Sequence, residues 1–163
     1  MFLLKSLLKA NIYCVCFVAF ISGCASTSEP TKPNNPITVH ATSFTDTNKA
    51  KIEKQQKSVG YIKDGTYLTF EQVQLGEEKN SIEIAAATPT QGGTVEVRLG
   101  DSQGEIIANL KINKTGKWYN WQTFSGRLNK PIKGQQKITL VFTSGKNWLF
   151  NIQSITFKNS PGN

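Results

Sequence analysis

From Gly65 to Phe157 the sequence falls into short runs in which apolar and polar residues alternate. These are GTYLTFEQV, SIEIAAA, GTVEVRLG, GEIIANLKI, QKITLVFT and WLFNIQSITF. Successive side chains of an extended strand point to opposite faces, so a period of two suits half-buried β-strands and does not suit helices. In TVEVRL, for instance, Val95, Val97 and Leu99 share one face while Glu96 and Arg98 share the other. Gly, Asn, Asp and Ser turn signals separate the runs. Many short strands at this spacing predict an all-β chain, a β-sandwich jelly roll in a single domain. NKAKIEKQQK (48–57) is the one stretch with a helical look, and its apolar content is too small to dock a helix.

The first residues read differently. A basic start, MFLLKSLLK, precedes a short apolar run, ANIYCVCFVAF, and then Ile21-Ser22-Gly23-Cys24. The run is too short to cross a bilayer comfortably and has the layout of a secretory signal. Its end resembles the lipobox of bacterial lipoproteins. That resemblance implies a signal peptide over 1–23, cleavage before Cys24 and lipidation of its sulfur. Cys14 and Cys16 then leave with the signal, so no thiol remains for a disulfide and the fold must rest on packing alone. Residues 24–36 contain ASTSEPTKPNNP and read as a flexible linker, with the folded module over 37–163. Ala25, where an aspartate would signal inner-membrane retention, points to an exported protein anchored at the outer membrane.

Cleavage lowers the formal charge of +8 by two, for Lys5 and Lys9. The remaining basic residues are spread along the chain and no nucleic-acid motif accompanies them, so nucleic acid is not an expected partner. Catalytic chemistry is equally unsupported. His40 is the only histidine, on the first predicted strand, where a surface role is expected. Without a second histidine or a mature free cysteine, zinc sites and nucleophilic triads lack their parts. A carboxylate pair of the glycosidase kind is not ruled out by spacing, but a domain this small seldom encloses a catalytic cleft. We expect no enzyme.

Aromatic residues in turn-like surroundings are what the chain offers instead. In TGKWYNWQTF, Trp118 and Trp121 stand three apart with Tyr119 between them. On a strand, that odd spacing sends the two tryptophans to opposite faces, so at most one is core. Tyr61 and Tyr67 sit in the Gly-containing run VGYIKDGTYLTF. A flat ring exposed at a loop suits stacking on the CH-rich face of a pyranose, with nearby amides serving its hydroxyls.

Taken in order, the segments resemble a family 6 carbohydrate-binding module from Val39 to Phe157. The motifs are VHATSFTD, SVGYIKDGTYLTF, GGTVEVRLG with GEIIANLKI, TGKWYNWQTF and LVFTSGKNWLFNIQSITF. The resemblance implies a β-sandwich and a loop-built sugar site. In it, Trp118 is the stacking platform, Tyr61 faces it across one sugar ring, Asn151 hydrogen-bonds that sugar, Glu53 closes one side, and Trp121 is a packing residue. It also implies a second site on the concave sheet face, where Tyr67 and Glu96 hold the corresponding positions. Expected partners are a polysaccharide such as xylan, β-glucan or an agar-type galactan and, through the lipid, a membrane; a monomer is expected. Lys51, Lys54 and Lys117, in or beside the site loops, would favour an anionic or sulfated glycan, with solvated surface lysines the plainer reading.

The sequence departs from the family at its structural calcium. Ala41 is followed by Thr42 in place of a glutamate, and Gln153 stands where Asp or Asn is usual. Calcium takes six or more hard oxygen ligands with carboxylates among them, so no cofactor or metal ligand is assigned. Two rival readings stay open: an envelope structural or assembly lipoprotein that kept the fold and lost sugar binding, and a small glycan-active enzyme.

Overall fold

The computed structural model describes residues 35–160. The signal peptide and Cys24 lie outside them, as does most of the linker. Eleven strands follow one another: β1 (Ile37–His40), β2 (Asp46–Thr47), β3 (Lys51–Glu53), β4 (Ser58–Gly60), β5 (Tyr67–Gln74), β6 (Lys79–Ala87), β7 (Gly93–Leu99), β8 (Glu105–Ile112), β9 (Gln122–Ile132), β10 (Gln135–Thr143) and β11 (Asn151–Lys158). Each predicted alternating run carries a strand. NKAKIEKQQK forms no α-helix: β3 runs into a single 3-10 turn over Lys54–Gln56.

The strands pair antiparallel in two sheets. One has the order β3-β4-β11-β6-β9, with β1 also on β11, and the other β2-β5-β10-β7-β8. Neighbours in space are rarely neighbours in sequence, as the jelly-roll expectation requires. Strand β1 pairs Ile37 with Phe157 and His40 with Ser154, while β4 meets β11 nearer its start, Val59 opposite Ile152. His40 is exposed at the end of β1, a strand-surface residue as expected.

Between the sheets lies one apolar layer. Leu68 and Phe70 of β5, Val95 and Val97 of β7, and Leu140 and Phe142 of β10 face Ile82 and Ile84 of β6 and Ile155 and Phe157 of β11, all buried. These are the inward positions of the period-two pattern, and their removal from water is the main stabilising term. Phe142 and Phe150 close one end of the layer edge to face, 5.6 Å between centroids at 82°.

Two expectations need correction. The run WLFNIQSITF is strand only from Asn151, and Trp148, Leu149 and Phe150 belong to the preceding loop. TGKWYNWQTF is mostly loop as well, with β9 beginning at Gln122. The parity argument therefore does not apply to Trp118 and Trp121. Trp121 is only half-buried, beside Tyr119 at 6.3 Å between centroids, and is not a core residue. The ring from this stretch that packs against the core is Phe124, opposite Ile84 on β6.

Candidate functional site

The loops at the end of the sandwich where β4, β6 and β11 meet are stitched together by threonines. Thr88, just past β6, accepts from the Thr115 and Gly116 amides at its carbonyl, at 2.9 and 3.0 Å, and donates its own amide to Thr115 Oγ1 at 2.8 Å. The hydroxyls of Thr88 and Thr90 donate to the Leu149 carbonyl at 2.5 and 2.8 Å. The Leu149 amide in turn donates to the Ile62 carbonyl at 2.9 Å. Asn120 closes its own turn by donating to the Thr115 carbonyl at 2.5 Å. Four loops are thus fixed relative to one another by hydrogen bonds between their backbones and threonine hydroxyls.

These loops surround a cavity of about 270 Å³ lined by Glu53, Tyr61, Ile62, Trp118, Tyr119, Trp148, Phe150 and Asn151. All four residues assigned to the sugar site from the sequence line it. Its floor is polar. Asn151, at the first residue of β11 and 4% exposed, donates from Nδ2 to Glu53 Oε2 at 2.9 Å, and Ser58 Oγ donates to the same oxygen at 3.0 Å. Gly60 backs this pair so closely that an added Cβ would lie 2.9 Å from both Asn151 Oδ1 and Glu53 Oε1. The walls are aromatic. Tyr61 and Trp148 meet edge to face at 5.6 Å and 87°, and both residues are nearly half exposed, as is Tyr119. Tyr61 holds φ of +61°, a left-handed conformation uncommon for a residue with a large side chain, and such strain gathers at sites where position matters.

Tyr119 and Trp148 were not singled out from the sequence. Trp148 had been read as the start of a strand, and the usable signal was that WLF is a continuous apolar run that breaks alternation. Tyr119 was passed over between the two tryptophans, although WYNW between Gly116 and β9 is itself a turn composition. The Tyr119 phenol is held above the usual tyrosine range, first by the water it loses against the cavity wall, then by the negative charge of Glu53 and last by Tyr61. It therefore stays protonated, a donor at the cavity mouth. A spectrophotometric titration should find two tyrosines ionising late, Tyr119 and Tyr67, and Glu53→Gln should move one of the two to lower pH; if neither moves, Glu53 is not the cause.

Tyr67 and Glu96 stand elsewhere, on the outer face of the other sheet. Both pair with Val141 of β10, so they share one cross-strand row. Tyr67 donates its hydroxyl to Asp46 Oδ2 at 3.0 Å, which raises its pKa. Glu96 accepts from Arg98 at 2.6 Å. The two side chains are thus brought to one face, each engaged by a neighbour. Among the described residues, no three or more His, Cys, Asp or Glu side chains are grouped so as to hold a metal ion.

Residues 38–159 match the model of the family described as "Carbohydrate binding module (family 6)". An endo-1,4-beta-xylanase A from Thermoclostridium stercorarium is 25% identical over 114 residues, which is 67% of this chain but 22% of that enzyme. Among solved structures, a β-1,3-glucan-binding module from Bacillus halodurans and a family 6 module from Clostridium cellulolyticum in complex with xylose are each 25% identical. For both, the TM-score is 0.68 over 76% of this chain and 95% of theirs. That family consists of non-catalytic sugar-binding modules, and its β-sandwich is the fold described above. With the family model spanning residues 38–159, nearly all of those described, this chain belongs to the family 6 carbohydrate-binding modules.

Proposed function

We propose that the domain captures a polysaccharide by taking one pyranose ring into the loop-end cavity. Trp118 and Tyr61 supply apolar faces for the ring, Trp148 and Tyr119 extend the wall, and Asn151 with Glu53 hydrogen-bond its hydroxyls from below. The observation that carries this reading is the convergence of three nearly half-exposed rings, Tyr61, Tyr119 and Trp148, and the partly buried Trp118 on a floor of one amide and one carboxylate. Exposed rings are usually scattered, and a cluster around a polar floor is what a flat, amphipathic sugar requires. That similar modules bind β-1,3-glucan or hold xylose supports a β-linked glycan as the class. In the same reading Cys24 carries lipid, the chain is a monomer anchored at the outer membrane, and no bond of the sugar is broken. Tyr67 and Glu96 form at most an auxiliary contact, since Arg98 and Asp46 already engage them.

The test is native affinity electrophoresis of the full chain in non-ionic detergent through gels containing xylan, laminarin, mixed-linkage glucan, agarose or carrageenan. At least one polymer should retard it. Aromatic stacking contributes about 1–3 kcal/mol when measured for nucleobases, so Trp118→Ala should weaken that retardation about tenfold or more. A folded protein that no polymer slows, or a Trp118→Ala variant slowed as much as the parent, would leave the structural-lipoprotein reading in its place.

A further inference from the structure

Three lysines among the described residues are ion-paired, and five of those that are not gather at the loop-end cavity and the depressions beside it. Lys130 pairs with Glu105, Lys137 with Glu71 and Lys158 with Glu83, and Arg98 with Glu96. Around the loop-end cavity the arrangement is different. Lys51 Nζ lies 5.1 Å from the centroid of the Tyr61 ring, and Lys63 Nζ 4.2 Å from that of Trp148. Lys117 borders a shallow depression that shares Tyr119 with the cavity, and Lys111 and Lys146 line a wider one of about 660 Å³ that shares Trp148. None of these five is within ion-pair distance of a carboxylate among the described residues. Lys54, singled out from the sequence with Lys51 and Lys117, borders a separate depression with His40 and Ile52 and does not belong to this set.

The placement has physical content beyond a basic tally. An ammonium over an aromatic face is attracted by the ring quadrupole, so Lys51 and Lys63 are held at the rims of two cavity walls rather than ranging through solvent. The nearby carboxylates do not cancel them. Glu53 sits on the floor with Oε2 occupied by Asn151 and Ser58, and Asp64 accepts the Ser144 amide at 2.8 Å. The negative charge that lines the cavity is that of Glu53 on its floor, where neutral hydroxyls would donate, while Lys51 and Lys63 stand at the rim, where substituents of the sugar and the flanking units would emerge. Complementary charge at a rim selects partners and speeds encounter, more than it adds affinity.

From this, and resting on the sugar-binding reading above, we infer that the ligand is an anionic polysaccharide. Its sulfate esters or uronate carboxylates meet Lys51 and Lys63 while one ring occupies the aromatic cavity, and the chain continues past Trp148 toward Lys111 and Lys146.

The same detergent-solubilised full chain is run against agarose, carrageenan, xylan and alginate, at low salt and at high salt. An anionic polymer should retard it more than the neutral ones, and salt should erode the difference. Carrageenan alone would name the sulfate ester, and alginate alone the uronate. The double variant Lys51→Gln/Lys63→Gln should lose the preference by about tenfold, two exposed ionic contacts each giving a few-fold. Lys130→Gln/Lys137→Gln removes the same net charge from the strands and should leave the preference intact. Equal loss in that control would reduce the effect to bulk charge and overturn the inference. So would equal retardation by neutral and anionic polymers, or anionic retardation that survives Trp118→Ala. If Trp118→Ala abolishes binding to a neutral polymer and no anionic preference exists, the sugar-binding reading stands and this inference falls.

Discussion

Gly60→Ala should nearly abolish polysaccharide retention while leaving a folded, cooperatively melting domain. The added methyl would arrive 2.9 Å from Asn151 Oδ1, Glu53 Cδ and Glu53 Oε1, closer than carbon and oxygen tolerate. Backbone cannot move there cheaply, because Gly60 pairs with Lys51 in the β3–β4 hairpin. The side chains must give way instead. Glu53 has the freedom to swing, but doing so breaks its bonds to Asn151 and Ser58 and leaves Asn151, almost wholly buried, without its partner. Overpacking of this kind costs about 1–3 kcal/mol of stability. Loss of hydrogen bonds to a charged group costs about 1.5–3 kcal/mol, so binding should fall about tenfold or more. Calorimetric titration with the best polymer's oligosaccharide, beside a thermal melt, separates the two effects. Affinity within twofold of the parent would mean that the Glu53–Asn151 floor is not what the sugar touches.

The second large effect is expected from Phe142→Ala. The Phe142 ring is fully buried and meets Phe150 edge to face, and Phe150 is itself a lining residue of the cavity. Truncation leaves a void between the sheets, and Phe→Ala changes in cores cost about 3–5 kcal/mol. Against a total of about 5–15 kcal/mol that is a large share, and denaturant unfolding should show the midpoint falling with little change in slope. Phe142→Leu, which refills most of the volume, should recover the greater part. Sugar affinity should also weaken in Phe142→Ala, because Phe150 loses its backing. A loss of stability below about 1 kcal/mol would show that the loops, and not this ring pair, close the end of the core.

How much of this was readable in the sequence depends on whether a feature has a local period. Strands β5 to β8 and β10 alternate cleanly because each has one face on the core, and they were legible. Strand β9 was not, since in QTFSGRLNKPI the apolar residues Phe124, Leu128 and Ile132 recur every fourth position and Pro131 interrupts. It is the edge strand of its sheet, mostly exposed, where proline is tolerated and alternation is not enforced. The site was legible in part for a related reason. Tyr61, Trp118, Asn151 and Glu53 came from ordered motifs, whereas Trp148 was absorbed into a strand that begins three residues later. The closeness of Gly60 to the floor and the sorting of lysines into paired and unpaired sets depend on cross-strand register, which no single segment encodes.

The register of β1 on β11 sets the entry of the described chain well apart from the cavity. The cavity is built around Asn151, at the start of β11, whereas Ile37 enters opposite Phe157, six residues further along the same strand. At about 3.3 Å per residue those two points are roughly 20 Å apart along the sheet. Strand β11 runs out at Lys158, at the same pole as Ile37. Both ends of the described sandwich therefore stand at the pole away from the cavity, and neither crowds its mouth. A long polymer can pass across the mouth without meeting either of them.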